Sequence, residues 1–136
     1  MKVKELMHAF TEIPSNTTVS EAARIMDQKL IGSVLIKEGS EIIGIVTERD
    51  ILRKVVAKGK NTDIITAKDI MSRPLITIDA NNDALEASRI MDEKRIRRIV
   101  VTENGKAIGK VTANSISRNL RYLLARKHED YARPEY

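Results

Sequence analysis

A chain of 136 residues has room for one compact unit, or for two small ones that share a core. It has no cysteine, which excludes a disulfide framework, a thiol nucleophile and a thiolate metal site. No apolar run approaches a membrane span and the N-terminus lacks a signal-peptide pattern, so a soluble cytoplasmic protein is expected. Phe10 is the single phenylalanine and tryptophan is absent, so the interior must be built from aliphatic side chains and methionine. The net charge of +5 is gathered late in the chain, in Lys94-Arg95-Ile96-Arg97-Arg98 and in a tail carrying Arg118, Arg121, Arg126 and Lys127. Such a balance suits an anionic ligand, a nucleic acid, or simply a solvated surface.

In chain order, Met1–Met7 has the spacing of a short helix start, and residues 8–14 read as extended up to Pro14. Ser15-Asn16-Thr17-Thr18 offers cap chemistry to a helix whose apolar positions are Val19, Ala22, Ala23, Ile25, Met26 and Leu30, with Gly32 as its stop. Ser33–Ile36 and Glu41–Val46 form two strands of a hairpin around Lys37–Ser40. A second helix begins at Thr47, passes through Ile51, Leu52, Val55 and Val56, and stops near Gly59. Residues 60–66 make a polar linker.

The order then repeats. Lys68–Met71 echoes Lys4–Met7 at an offset of 64, and from Ile13/Ile78 to Ile51/Ile116 the offset is 65. Sixteen of those 39 aligned pairs are identical, among them Glu21/Glu86, Ala22/Ala87, Arg24/Arg89, Met26/Met91, Gly44/Gly109 and Thr47/Thr112. Chance gives only a few, so the chain is an internal duplication. The boundaries expected are residues 1–59 for the first repeat, 60–66 for the linker, 67–120 for the second repeat and 121–136 for a basic helical tail. The fold expected is α/β (α+β): two β-α-β-β-α units packed about a pseudo-two-fold axis, plus a C-terminal helix. A duplication of this kind creates two equivalent clefts, where helix N-termini offer unpaired N–H groups to phosphate.

The junction Gly44-Ile45-Val46-Thr47-Glu48-Arg49-Asp50 is written twice, but not identically. Gly109, Val111 and Thr112 retain Gly44, Val46 and Thr47, whereas Ser115 stands opposite Asp50. Thr47 and Asp50 have capping-box spacing, which is compatible with a second use of the carboxylate. Met7/Met71, the Ala-x-x-x-Met helix, the hairpin and Gly-x-x-Thr-x-x-Asp recur in order over about residues 1–120. This sequence of features strongly resembles a tandem pair of cystathionine-β-synthase (CBS) domains, a Bateman module, here of stand-alone length. The resemblance implies a regulatory module that senses an adenosine-containing ligand (AMP, ADP, ATP or S-adenosylmethionine) in a cleft between the repeats. It also implies a homodimer of pairs packed as a flat disc, which transmits occupancy.

Carried over position by position, the ribose-binding carboxylate falls on Asp50 and the threonine near ribose and phosphate on Thr47. The adenine wall falls on Met71–Ile76 and on Ile96-Arg97, and the phosphate-facing basic pair on Arg97 and Arg98. The chemistry suits a carboxylate, because it can accept hydrogen bonds from both hydroxyls of a ribose diol. The second cleft takes Thr112 and Ser115 with Thr11, Gly32 and Ser33. A serine hydroxyl cannot hold a diol in the same way, so weaker binding, an unlike ligand or an empty cleft is expected there.

Plainer readings stand beside these. Thr47/Asp50 and Thr112/Ser115 serve as caps whatever else they do, and Arg97-Arg98 also fits a charged strand edge. Met7, Met26, Met71 and Met91 occupy matching positions, which says core. His8 and His128 lack ligand spacing. Ile116, Leu120, Leu123 and Leu124 form an apolar stripe on a basic helix, suited to packing on the pair or a dimer mate. No nucleophile–base pair, metal cluster, P-loop or dinucleotide fingerprint is present, so neither an enzyme nor a catalytic cofactor is expected. The other reading is a ligand-independent interaction module that meets nucleic acid, or an unidentified protein, through its basic face and tail.

Overall fold

The computed structural model describes residues 1–131, arranged as two compact units. One comprises residues 10–76; the other combines residues 1–9 with the chain from Thr77 onward. Residues 132–136, the end of the basic tail, lie outside the described residues.

In the unit of residues 10–76, β1 (Glu12–Pro14) runs parallel to β2 (Ser33–Glu38), and β2 pairs antiparallel with β3 (Glu41–Thr47). A parallel pair needs a crossover, and α1 (Val19–Lys29) supplies it. Central β2 buries Ser33 through Ile36 in succession, because both faces of that strand are covered. After β3 the chain turns straight into α2 (Glu48–Ile51). It continues as a π-helical turn over Leu52–Val56, closed by the Ala57 N–H on the Leu52 carbonyl at 2.8 Å. The core joins Ile13, Val19, Met26, Val34, Ile36, Val46 and Val55 to Ala67, Ile70 and Met71, the last three from α3 (Ala67–Ile70) and its C-cap. The polar stretch before α3 folds back on α1: Val19 N–H donates to the Ile65 carbonyl and Ala67 N–H to the Thr17 carbonyl, both at 2.8 Å.

The expected stop at Gly32 is replaced by an earlier one. Helix α1 ends at Lys29, and Leu30 adopts the left-handed conformation at φ 54°. The Leu30 N–H returns to the Asp27 carbonyl and the Ile31 N–H to the Met26 carbonyl. That bond pair is a Schellman motif, in which the residue after the left-handed one folds its apolar side chain onto the last turn. Ile31 packs against the core, and this fixes the register at the expense of a leucine at positive φ.

The other unit repeats the plan: β4 (Thr77–Asp79), α4 (Ala84–Lys94), β5 (Arg98–Glu103) and β6 (Lys106–Thr112), with sheet order β4-β5-β6. Its α4 ends in the same motif, with Arg95 at φ 56° and Ile96 N–H on the Met91 carbonyl. The expected helix start at Met1–Met7 is a short 3₁₀ turn over Val3–Glu5. It docks here through Val3 N–H to the Asn82 carbonyl and His8 paired with Lys110, burying Val3 and Leu6. Met26, Met71 and Met91 are buried as expected, while Met7 is only half-buried. Helix α5 (Ala113–Tyr131) is continuous from the junction into the basic tail. Of the apolar stripe, Ile116 is buried, Leu120 and Leu124 are exposed, and the Leu123 side chain lies outside the described ones, as does that of His128.

Candidate functional site

The junction between β3 and α2 is built on a glycine. Backbone bonds join Ile45 to Ser72 in both directions, at 2.8 and 3.2 Å, drawing residues 71–72 against β3. A Cβ at Gly44 would stand 2.6 Å from Met71 Sδ, so the glycine leaves room for the Met71 side chain at this close approach. Its neighbour strand supplies Ser33, buried and in register with Thr47.

Thr47 and Asp50 form the expected capping box. The Asp50 N–H donates to Thr47 Oγ1 at 3.2 Å, while the Thr47 N–H and hydroxyl donate to Asp50 Oδ2 at 2.9 and 3.2 Å. The Asp50 side chain is 10% exposed, yet its second oxygen faces quite different partners. Asp50 Oδ1 accepts from Ser72 Oγ at 3.2 Å and lies 3.0 Å from Lys54 Nζ. The same ammonium donates to the Ile70 carbonyl at 2.8 Å and reaches Ser72 Oγ at 3.5 Å. Lys54 is 44% exposed and Ser72 is exposed, so the cluster on this oxygen borders solvent. One oxygen is committed to the helix cap and the other is held by side-chain ends.

Lys54, and a polar rather than adenine-facing role for Ser72, were not singled out in the sequence. The available signal was the spacing: Asp50 and Lys54 are four residues apart, which places them on one helical face. Ser72 lies in the segment Met71–Ile76 that the resemblance assigns to adenine, but its place beside Asp50 Oδ1 had no residue-type signal, since it arrives through the backbone pairing with Ile45.

At the equivalent junction of the other unit, Ser115 replaces the carboxylate without loss of the cap. Thr112 N–H donates to Ser115 Oγ at 3.1 Å, Ser115 N–H to Thr112 Oγ1 at 3.1 Å, and the two hydroxyls meet at 2.7 Å. The residue matching Lys54 is Asn119, whose Nδ2 donates to the Ser115 carbonyl at 2.8 Å. Carboxylate and ammonium are therefore exchanged together for a neutral pair. Gly109 serves the close approach of residues 7–8, where an added Cβ would lie 2.9 Å from the His8 carbonyl oxygen. Arg98 starts β5 in register with Thr112, and half-buried Lys110 lies on β6 opposite Val100. Burial, and secondarily the Arg98 charge, pull the Lys110 pKa below its ordinary value.

The remaining candidates are placed unit by unit. Thr11, Gly32 and Ile76 are half-buried in the unit of residues 10–76, where the Gly32 carbonyl accepts the first N–H of α2 at 3.1 Å. Ile96 is half-buried and Arg97 exposed in the other unit, where the Arg97 carbonyl accepts the first N–H of α5 at 2.8 Å. Among the described residues, no three His, Asp or Glu side chains gather as a metal site, and no helix is long and apolar enough to cross a membrane.

Comparison with known proteins bears on this geometry. The family model of the CBS domain matches residues 3–57 and 67–122. An uncharacterised protein of Methanopyrus kandleri is 41% identical over 121 residues, covering 88% of this chain and 62% of that protein. A mitochondrial CBS domain-containing protein of Arabidopsis thaliana is 34% identical over 109 residues, covering 76% of this chain and 53% of that protein. The alignments thus span less than two thirds of either relative. Among solved structures, a protein with CBS domains from Burkholderia ambifaria superposes with a TM-score of 0.81 at 26% identity, over 100% of each chain.

Proposed function

The chain belongs to the CBS-domain family as a tandem pair, and on that premise we propose that it binds an adenosine-containing ligand through Asp50 and reports occupancy through a homodimer. The single observation that carries this reading is the division of labour at Asp50: Oδ2 is fixed by the cap, while Oδ1 is aimed at a solvent-open cluster of exchangeable partners. A ribose diol placed there donates to a preformed, nearly buried carboxylate. Such charge-assisted bonds contribute about 1.5–3 kcal/mol each. Thr47 stands beside the same oxygen pair. The assignments of Ile76 and Ile96 to adenine, and of Arg97 and Arg98 to phosphate, rest on the family resemblance.

The junction at Thr112 and Ser115, with Thr11, Gly32 and Ser33 as its implied companions, has no carboxylate and binds the same ligand more weakly. The dimer is supported by an apolar groove of unit 10–76, bordered by Met26, Leu30, Ile31, Ile51, Leu52 and Val56. Leu30 in that groove is 90% exposed.

Calorimetry against AMP, ADP, ATP and S-adenosylmethionine tests the reading, with sedimentation of the same samples reporting the dimer. Asp50→Ser is the discriminating variant, because at the equivalent junction of the other unit Ser115 makes the same cap with Thr112. Binding should fall by roughly 30-fold or more, the loss of one or two charge-assisted bonds, with little change in thermal midpoint. Ser115→Ala should alter affinity far less. Absence of binding by every ligand of the panel, or full affinity in Asp50→Ser, would overturn the proposal.

A further inference from the structure

Among the described residues, Lys54 is the charged side chain that ion-pairs with Asp50 Oδ1, the oxygen assigned above to the ligand, and its position has a consequence for which ligands fit. Its ammonium is held at three points: Asp50 Oδ1 at 3.0 Å, the Ile70 carbonyl at 2.8 Å and Ser72 Oγ at 3.5 Å. It sits in the π-helical turn of residues 52–56, a feature that the second repeat, with a regular α5, does not share. Extra-wide turns of this kind recur at functional sites. At the matched positions, Ser115 and Asn119 are both neutral. The ammonium is present where the carboxylate is, and gone where the carboxylate is gone.

Resting on the adenosine-ligand reading, we propose that Lys54 makes the Asp50 site selective for an anionic, phosphorylated ligand, by yielding Oδ1 to the ligand's diol and turning its charge to the ligand's anion. The charge balance is the reason. Asp50 with Lys54 is neutral in sum, so the pair offers no net attraction to a cation. A diol that takes Oδ1 leaves a half-exposed ammonium still anchored on the Ile70 carbonyl, with a carboxylate partner it must now share. A phosphate nearby satisfies that ammonium; a sulfonium or α-ammonium group repels it. Without Lys54, Asp50 is a lone carboxylate that no longer discriminates against cations and has lost one competitor for Oδ1.

The test compares binding ratios, which a purely structural role would not move. Affinities of adenosine, AMP, ATP and S-adenosylmethionine are measured for the full chain and for Lys54→Met, which keeps stem length, and Lys54→Arg, which keeps charge. The AMP-to-adenosine affinity ratio should fall about tenfold in Lys54→Met, the scale of one charge-assisted contact near a surface. Adenosine itself should bind as well or better, S-adenosylmethionine should gain, and Lys54→Arg should retain most of the phosphate preference. A uniform loss across all four ligands in Lys54→Met, with the ratios unchanged, would make Lys54 a helix-packing residue only and overturn the inference while leaving Asp50 as the ribose site. If no ligand binds the unaltered chain, the adenosine reading itself fails and this inference goes with it.

Discussion

Two glycines at matched positions do the same job against different neighbours, and the difference is measurable. At Gly44 the nearest atoms to an added methyl are Met71 Sδ and Cγ, at 2.6 and 2.9 Å, which belong to a flexible side chain. At Gly109 the first is the His8 carbonyl oxygen at 2.9 Å, part of a backbone bridge that cannot shift without breaking its pairing with Lys110. Gly109→Ala is therefore expected to cost about 1–3 kcal/mol, the range for overpacking, and Gly44→Ala to fall at or below its lower end. Denaturant unfolding of the two variants checks the order; a larger loss at Gly44 would contradict it. Gly44, Thr47 and Asp50 were legible in the sequence because a cap and a close approach both leave a residue-type signature. Lys54 was visible only as a helical spacing, and Ser72 only as part of the segment Met71–Ile76 that the resemblance assigns to adenine, since a residue delivered by main-chain pairing can be of almost any type.

Among the elements, periodicity and duplication made the helix–hairpin–helix order plain, and the sheets follow it. Helix ends were less legible. The glycine at position 32 looked like the natural stop, yet the apolar residue at 31 folds onto the last turn and moves the left-handed position to Leu30. The second repeat repeats the choice with Arg95 and Ile96, where no glycine is present at all. A non-glycine residue in that conformation carries a steric cost that glycine does not. Arg95, exposed at φ 56°, is the cleaner of the two for a test. Arg95→Gly should raise stability by about 0.5–1 kcal/mol, allowing for the added freedom of the unfolded chain. A lower thermal midpoint in the variant would show that the Arg95 side chain contributes more than its backbone costs. The π-helical turn after α2 had no sequence signature either, because Asp50-Ile51-Leu52-Arg53-Lys54 suits a regular helix equally well.

At the scale of the molecule, sequence repeats and compact units are not the same segments. Lys4–Met7 and Lys68–Met71 are equivalent by alignment, and each is followed by a residue that pairs with the third strand of a sheet. Ser72 pairs with Ile45 of β3, and His8 with Lys110 of β6. The first nine residues thus complete the unit that begins at Thr77, although they adjoin the other one in the chain. Main-chain bridges fix that membership, and side-chain patterns do not encode it. Removal of residues 1–9 should strike the distant unit. It deletes buried Val3 and Leu6, each contributing about 1.5–3 kcal/mol of apolar burial, together with main-chain bonds to Ala80, Asn82, Ala84 and Lys110. Hydrogen exchange on the truncated chain should therefore show amides of β6 and of residues 80–84 losing protection first. The β1–β3 sheet and the Asp50–Lys54–Ser72 cluster belong to the unit of residues 10–76, and should keep their protection longer. Earlier loss in β1–β3 would mean that the N-terminal segment supports the repeat it adjoins, contrary to the pairing of His8 with Lys110.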